Sequence, residues 1–454
     1  MTTLTLVTLA VVLYGAVTGR YGRALALGGA TPVGAALAFG DTAVPTFYFV
    51  ALGAAAGLAL GLLSRTRRFQ SLDAPRIPGV AALVFLTLWA VLITLAAPLL
   101  FDGMSVLSPG GAEGRLSAGV VTPSNVAQII YLVLGVCVVV FLARSPRTVP
   151  QIIGTAAGLA TVLSFWAYLH STFGAPYPIG FFDNSPAFVF IETAPGDVQR
   201  FRGIFSEPAG LATSSLVTAA YMLSRAPQVR ALRRLGVLLV AAIALFLGAI
   251  STSATFFVAG LALLLLSAVV FLSKFVLRRG PLNPLSVTVA CAAVIASLWL
   301  LPILATAIDQ VVSEKVASSS FSERSGANTL SYELLFRTFG LGVGLGSHRP
   351  SSFLAALLST IGIVGTVLFA IAVGTLIREG YAVRAFRPVV WALTALLITK
   401  FVSGPDLADT SGILWMSLGV LAHAAVARRT GARAAASAAT SRPDVRPVPG
   451  LGRS

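Results

Sequence analysis

The sequence predicts an all-α protein, a polytopic transmembrane helix bundle of about 12–13 spanning helices with extended extracytoplasmic loops. Three observations predict it. Of 454 residues, 56% are hydrophobic and only 11% charged, and the mean hydropathy is +0.89; a soluble domain is about one quarter charged, and no water-soluble fold of this length hides so much apolar surface. Apolar runs of bilayer-spanning length, about 20 residues, recur from end to end. The charges between those runs fall on alternate sides.

Taken in order, the runs are 3–18, 24–40, 46–64, 78–100, 125–143, 148–168, 207–224, 235–250, 255–273, 284–302, 351–377, 388–403 and 411–427. The first has no basic residue in front of it, and Arg20 and Arg23 follow it. A cleavable signal peptide carries its positive charge first, so this run is expected to be a spanning helix with its N-terminus outside. The run 24–40 carries Pro32 and four glycines, which membrane helices tolerate. Alternate threading puts Arg20/Arg23, 65–76, Arg144/Arg147, 225–234, 274–279, 378–387 and the tail from Arg428 on one side. That side holds 24 of the 32 Lys and Arg, and the other holds 13 of the 16 Asp and Glu. Lys and Arg accumulate on the cytoplasmic face, so the chain is expected in the cytoplasmic (inner) membrane, multi-pass, with the N-terminus outside and the C-terminus cytoplasmic. The bundle is expected over 1–429 with outer loops 101–124, 169–206 and 303–350. Residues 430–454, rich in Ala, Arg and Pro, read as a basic, disordered cytoplasmic tail.

The net charge of +16 has its source in this sidedness, so no nucleic-acid partner is expected. Cys137 and Cys291 both fall inside apolar runs and give neither a disulfide framework nor a ligand spacing. The three histidines are scattered and the outer acids have no recognisable spacing, so neither a metal nor a cofactor is expected.

Two outer loops contain groups suited to chemistry. The first ends in Arg200-Phe201-Arg202-Gly203-Ile204-Phe205-Ser206-Glu207-Pro208. Glu207-Pro208 reads as a helix start, with Pro in the first turn and an acid at the positive end of the dipole. Arg200 and Arg202 suit either bidentate phosphate binding or pairing with nearby acids. The second runs from Ser322-Glu323-Arg324 to Gly340, Gly342, Gly344, Gly346, Ser347, His348, Arg349 and Ser351-Ser352. Its glycines permit close backbone approach to an anion, or simply a re-entry of the chain into the membrane. His348 is a proton carrier near neutral pH or a polar surface residue. Lys400, near the outer end of an apolar run, either snorkels or faces the bundle interior as a functional charge.

At these loops the sequence resembles the O-antigen polymerase and O-antigen ligase superfamily of bacterial envelope enzymes. The resemblance rests on Arg200-x-x-Gly203-x-Phe205-x-Glu207-Pro208, on Ser251-Thr252-Ser253 at an outer helix junction, and on Gly342-x-Gly344-x-Gly346-Ser347 followed by Leu357-x-x-x-x-Gly362-x-x-Gly365. It extends over about 125–427. Ser351-Ser352 stands where ligases carry His-Asn, and Ala254 follows Ser253 where relatives have Arg; both departures favour a polymerase-like member. The resemblance implies a metal-independent glycosyltransferase of polysaccharide biosynthesis that joins polyprenyl-pyrophosphate-linked repeat units into O-antigen or exopolysaccharide at the outer face. Donor and acceptor glycans and membrane lipids are the partners implied, with room for a chain-length regulator. It assigns catalysis to Arg200 and Arg324, facing the pyrophosphate, and to Glu207 and His348 as candidate bases. Arg202, Arg349, Gly344, Gly346 and Ser351 are assigned to substrate binding. A ligase is the same-class alternative. A transporter of a lipid-linked glycan or small solute is a different class, and would carry ionisable or broken-helix features near mid-membrane.

Overall fold

The computed structural model describes residues 2–39, 42–63, 76–108, 112–186, 190, 200–278 and 319–440. The expected span 284–302, the acids Asp41, Glu192, Asp197, Asp309 and Glu314, and the tail beyond 440 lie outside the described residues, as do the side chains of 319–324. The described residues form an all-α bundle of fourteen helices: α1 (Thr3–Thr18), α2 (Tyr21–Gly29), α3 (Thr46–Leu63), α4 (Val80–Leu100), α5 (Pro123–Arg144), α6 (Gln151–Phe173), α7 (Pro208–Arg225), α8 (Ala231–Ile250), α9 (Ala254–Arg278), α10 (Ser319–Arg337), α11 (Phe353–Thr360), α12 (Gly362–Tyr381), α13 (Arg387–Val402) and α14 (Ile413–Thr440). Two short hairpins, β1–β2 (Ala35–Phe39, Thr42–Pro45) and β3–β4 (Ser105–Leu107, Glu113–Arg115), are antiparallel.

Among the described residues, seven helices are long and apolar enough to cross a membrane by length and composition: α4, α5, α6, α8, α9, α12 and α13, the last together with its preceding turn. Helices α1 and α3 are apolar but shorter. Helix α7, with Thr213, Ser214, Ser215 and Thr218, lacks the hydropathy of a lipid-facing span because protein covers most of it. It packs against α6, α8, α9 and α13, and Thr218 bonds the Ala157 carbonyl and Thr161 of α6. Helix α14 continues to Thr440, eleven residues into the segment expected as disordered tail.

Two expected spans are broken, and both corrections have physical causes. The run 24–40 is not a helix through its length. α2 has only nine residues, because Pro32 cannot continue the ladder and Gly34 precedes the β1–β2 hairpin. The extended backbone inside the bundle is satisfied by protein: Thr46 N–H donates to the Gly34 carbonyl, Thr46 Oγ1 to the Thr31 carbonyl, and the Asn184 amide pairs with both backbone groups of Ala35. That satisfaction is the condition for irregular backbone at membrane depth. The run 351–377 divides at Ile361-Gly362 into α11 and α12. Gly362 has φ +66, and a Cβ there would lie 2.2 Å from the Gly340 carbonyl oxygen. The Ile361 carbonyl at the break accepts from Trp89 Nε1 of α4 at 2.8 Å as well as from the Gly365 N–H.

The core is centred on Trp415 of α14, with Phe47, Tyr48 and Phe353 fully buried around it. The α5–α14 contact closes over Gly135, where a Cβ would stand 2.5 Å from the Trp415 ring. The ends of the bundle differ in charge. At one, Arg147 bonds the Thr18 carbonyl, Gln228 bonds the Arg384 carbonyl, and buried Glu379 pairs with Arg428 and Arg429. The other carries Asp183, Glu207, Asp406 and Asp409 with the loops that build the candidate site.

Candidate functional site

The loop before α7 is held by its own residues. Ile204 and Phe205 are buried in a satellite core with Ala160, Phe182, Leu211 and Leu247. Gly203, at φ +59, lets the backbone pass over Ser164, whose Oγ would lie 2.7 Å from a Cβ. Arg202 braces the turn: its guanidinium donates to the Phe205 carbonyl at 3.0 Å, meets Asp183 at 3.3 Å and lies over the Phe190 ring. Arg200 donates to the hydroxyl and carbonyl of Thr252 at 3.2 and 2.9 Å. The structure thus joins Arg200 to the Ser251-Thr252-Ser253 junction, where Thr252 has φ +49. Glu207 is the N-cap residue of α7, and Pro208 occupies its first turn. The half-buried carboxylate caps no helix N–H and has no ion-pair or hydrogen-bond partner among the described residues.

The glycine-rich segment behaves differently from an anion cradle. Gly342, Val343, Gly344 and Leu345 donate their N–H groups to Thr338 Oγ1, the Ser359 carbonyl, the Thr360 carbonyl and Thr94 Oγ1. These four donors are therefore unavailable to an anion. Gly344 (φ +87) and Gly346 (φ +76) face backbone instead: a Cβ would meet Thr94 Cα at 2.7 Å and the Ser124 carbonyl oxygen at 2.6 Å. Asn125, which closes the capping box of α5, reaches across to the Leu345 carbonyl and Ser347 Oγ. The segment is a re-entry wedged between α4 and α5.

His348 follows it, only 4% exposed. Its Nδ1 accepts from the Leu107 N–H at 3.1 Å, so the proton sits on Nε2 and is directed at Ser331 Oγ, 2.8 Å away; Ser331 in turn donates to the Ala327 carbonyl. Burial pushes the imidazole down to about 4, so it is neutral at physiological pH. Arg349 N–H returns a bond to the Leu107 carbonyl. The β3–β4 hairpin and α10 therefore clasp His348, and Arg349 is presented outward from that clasp. Asn328 of α10 accepts from the N–H groups of Ser351 and Ser352 at 3.1 and 3.2 Å. Arg324 lies one turn before Asn328 on the same helix face; only its backbone is described.

Glu207, Arg349 and Ser351, from the two sequence-distant loops, line one cavity of about 360 Å³, at the small end of ligand pockets, which run from about 300 Å³. Its lining includes the small residues Gly29, Ala156, Ala157 and Ala160, the end of α13 and the loop after it. There Lys400 (side chain 8% exposed) meets Asp409 (6%) at 3.5 Å, donates to the Asp406 carbonyl at 2.8 Å and lies 5.6 Å from the Phe353 ring centroid. Asp409, at φ +53, also accepts from Leu414 N–H at 2.7 Å and from Ser411 Oγ at 3.1 Å, placing its charge at the positive end of α14. Lys400 therefore faces the bundle interior and does not snorkel. Arg200, Arg202, Gly344, Gly346 and His348 support the surrounding loops and do not line this cavity.

Asp406, Asp409, Asn328 and Ser331 were not singled out from sequence. One signal was available for the aspartates: a lysine closing an apolar run requires a nearby carboxylate, and Gly404-Pro405 turns the chain back within a few residues of it. No group of three or more His, Cys, Asp or Glu able to hold a metal occurs among the described residues. No protein-family model matches the chain, and no curated protein matches it.

Proposed function

We propose that the chain polymerises polyprenyl-pyrophosphate-linked oligosaccharide repeat units into envelope polysaccharide at the outer face of the cytoplasmic membrane. The observation that carries this reading is the cavity lined by an unpartnered carboxylate, Glu207, together with Arg349 and the Lys400–Asp409 pair. Glycosyl transfer needs a base for the attacking hydroxyl and positive charge for a departing pyrophosphate. In this reading Glu207 takes the proton of an acceptor sugar hydroxyl. The hydroxyl oxygen bonds to the anomeric carbon of the donor, the anomeric carbon–oxygen bond to pyrophosphate breaks, and polyprenyl pyrophosphate leaves with the electron pair. Arg349 and Lys400 offset its charge from the cavity side, and Arg324 does so from α10. Arg200 and Arg202 hold the loop that carries Glu207, so they position the base; His348 positions Arg349.

Deletion of the gene followed by a gel of lipid-linked glycan tests the reading. Accumulated single repeat units support it. Free long polymer indicates a ligase, and unit retained on the cytoplasmic side indicates a transporter. The transport reading has its own observations in favour: the buried Lys400–Asp409 pair and the two interrupted spans, α2 and α11–α12, are the features expected of solute pathways. Against it, the charged residues of the cavity lining, Glu207, Arg349, Lys400, Asp406 and Asp409, all lie in loops or at helix ends.

A further inference from the structure

Helices α7, α8, α9 and α13 enclose a second cleft of about 750 Å³, separate from the Glu207 cavity and toward the basic end of the bundle. Its long walls are apolar, with Leu216 and Leu223 on α7 and Phe256 and Leu264 on α9, and Ala220 and Gly260 give it depth. It ends at a polar rim. There Gln228 Nε2 donates to the Arg384 carbonyl at 3.1 Å, and Arg225 reaches Gln228 Oε1 at 3.4 Å. Arg387 Nε donates to the Tyr381 carbonyl at 3.1 Å, and its guanidinium stacks 5.2 Å over the Tyr381 ring. Neither Arg384 nor Arg387 pairs with a carboxylate among the described residues.

Three of the helices that line the cleft, α8, α9 and α13, are long and apolar enough to cross a membrane. An acyl chain of the surrounding bilayer would give these apolar lining atoms their dispersion contacts. That chain carries a headgroup, and the cleft delivers it to a rim lined by Arg384 and by Arg387, whose guanidinium is held by the Tyr381 carbonyl and ring. Guanidinium favours phosphate. We propose that this cleft is a binding site for an anionic phospholipid, with an acyl chain between α7 and α9 and the phosphate between Arg384 and Arg387. The site is independent of the glycan reading and places no requirement on it.

The test is native mass spectrometry of the full chain released from vesicles containing equal phosphatidylglycerol and phosphatidylcholine. Wild type should retain phosphatidylglycerol by about tenfold over phosphatidylcholine, as two cations near a headgroup imply. The double variant Arg384→Gln/Arg387→Gln should lose that preference. Gly260→Leu, whose Cβ would meet only Leu216 at an ordinary 3.6 Å, should fill the cleft and reduce retention of both lipids. Equal retention of the two lipids by wild type overturns the proposal without recourse to any variant. So does a preference that survives the double substitution, or retention unchanged by Gly260→Leu in protein that elutes as wild type.

Discussion

Replacing Lys400 by Met separates what the buried ion pair does for the fold from what it does in the cavity. Removing one partner of a buried pair costs about 3–5 kcal/mol, because the remaining charge is left uncompensated. The two single substitutions should fall at different points in that range. In Lys400→Met, Asp409 keeps the Leu414 N–H, the Ser411 hydroxyl and the start of α14, so the cost lies near the low end, about 3 kcal/mol. In Asp409→Asn, the ammonium keeps only the Asp406 carbonyl and the Phe353 ring, so the cost approaches about 5 kcal/mol. The double variant Lys400→Met/Asp409→Asn buries no net charge and keeps an oxygen for Leu414 N–H. It should be destabilised by well under the sum, with a coupling energy of about 2–3 kcal/mol. The assay is reversible unfolding in mixed micelles for wild type and the three variants, with glycan length read from the same strains. Single costs that add to the double within about 0.5 kcal/mol would refute the coupling. A stable double variant that still makes full-length polymer would remove Lys400 from the proposed chemistry while leaving its structural role intact.

Glu207→Gln should leave the protein abundant and membrane-inserted yet abolish long-chain glycan, since the carboxylate neither caps α7 nor pairs with a cation; an unshortened ladder on the gel refutes its role as base. Arg200→Ala and Arg324→Ala should each abolish long-chain glycan at normal expression, and full-length polymer in both would withdraw their assigned roles. Gly346→Ala forces a Cβ to within 2.6 Å of the Ser124 carbonyl at φ +76, so it should cost at least the ~1–2 kcal/mol of the left-handed backbone and lower the thermal midpoint. His348 predicts a pH dependence: its folded value is depressed to about 4 from an unfolded value near ~6.5. The folded state thus binds fewer protons, and stability is complete above about 6.5 and declines as pH falls toward 4, by about 3 kcal/mol. Unfolding midpoints across that range should show the decline in wild type and a shallower one in His348→Gln.

The membrane-bundle architecture was legible because length and hydropathy act locally: the boundaries of α1, α3, α4 and α5 fall within two residues of the apolar runs that predict them. The exceptions share a cause. In 24–40 and 351–377 the run is apolar throughout, and hydropathy reports solvent, which is protein or lipid in both halves of a broken helix. The break is set by Pro32 and by Gly362 facing the Gly340 carbonyl, and the second of these is a contact more than twenty residues away. The polar α7 inverts the case: its serines and threonines reduce its hydropathy because most of the helix is packed against α6, α8, α9 and α13.

The site divides along the same line. Glu207, Arg349 and Ser351 were visible as residue types in or beside loops expected on one side, and alternate threading was enough to bring them to one end of the bundle. Sequence could not distinguish the arginine that lines the cavity from those that hold its loops. Arg200 and Arg202 have the spacing of a phosphate clamp, yet their groups are engaged by Thr252, Asp183 and the Phe205 carbonyl. The glycines at 342, 344 and 346 have the spacing of an anion loop, but their positive φ values serve close contact with α4, α5 and α11. Asp409 is the converse: an ordinary loop acid by composition, it becomes the partner of Lys400 only because Gly404-Pro405 reverses the chain and α14 begins four residues later. Its left-handed backbone, its helix-end charge and its ion pair all require the tertiary structure, so this part of the cavity lining emerges only once the bundle is assembled.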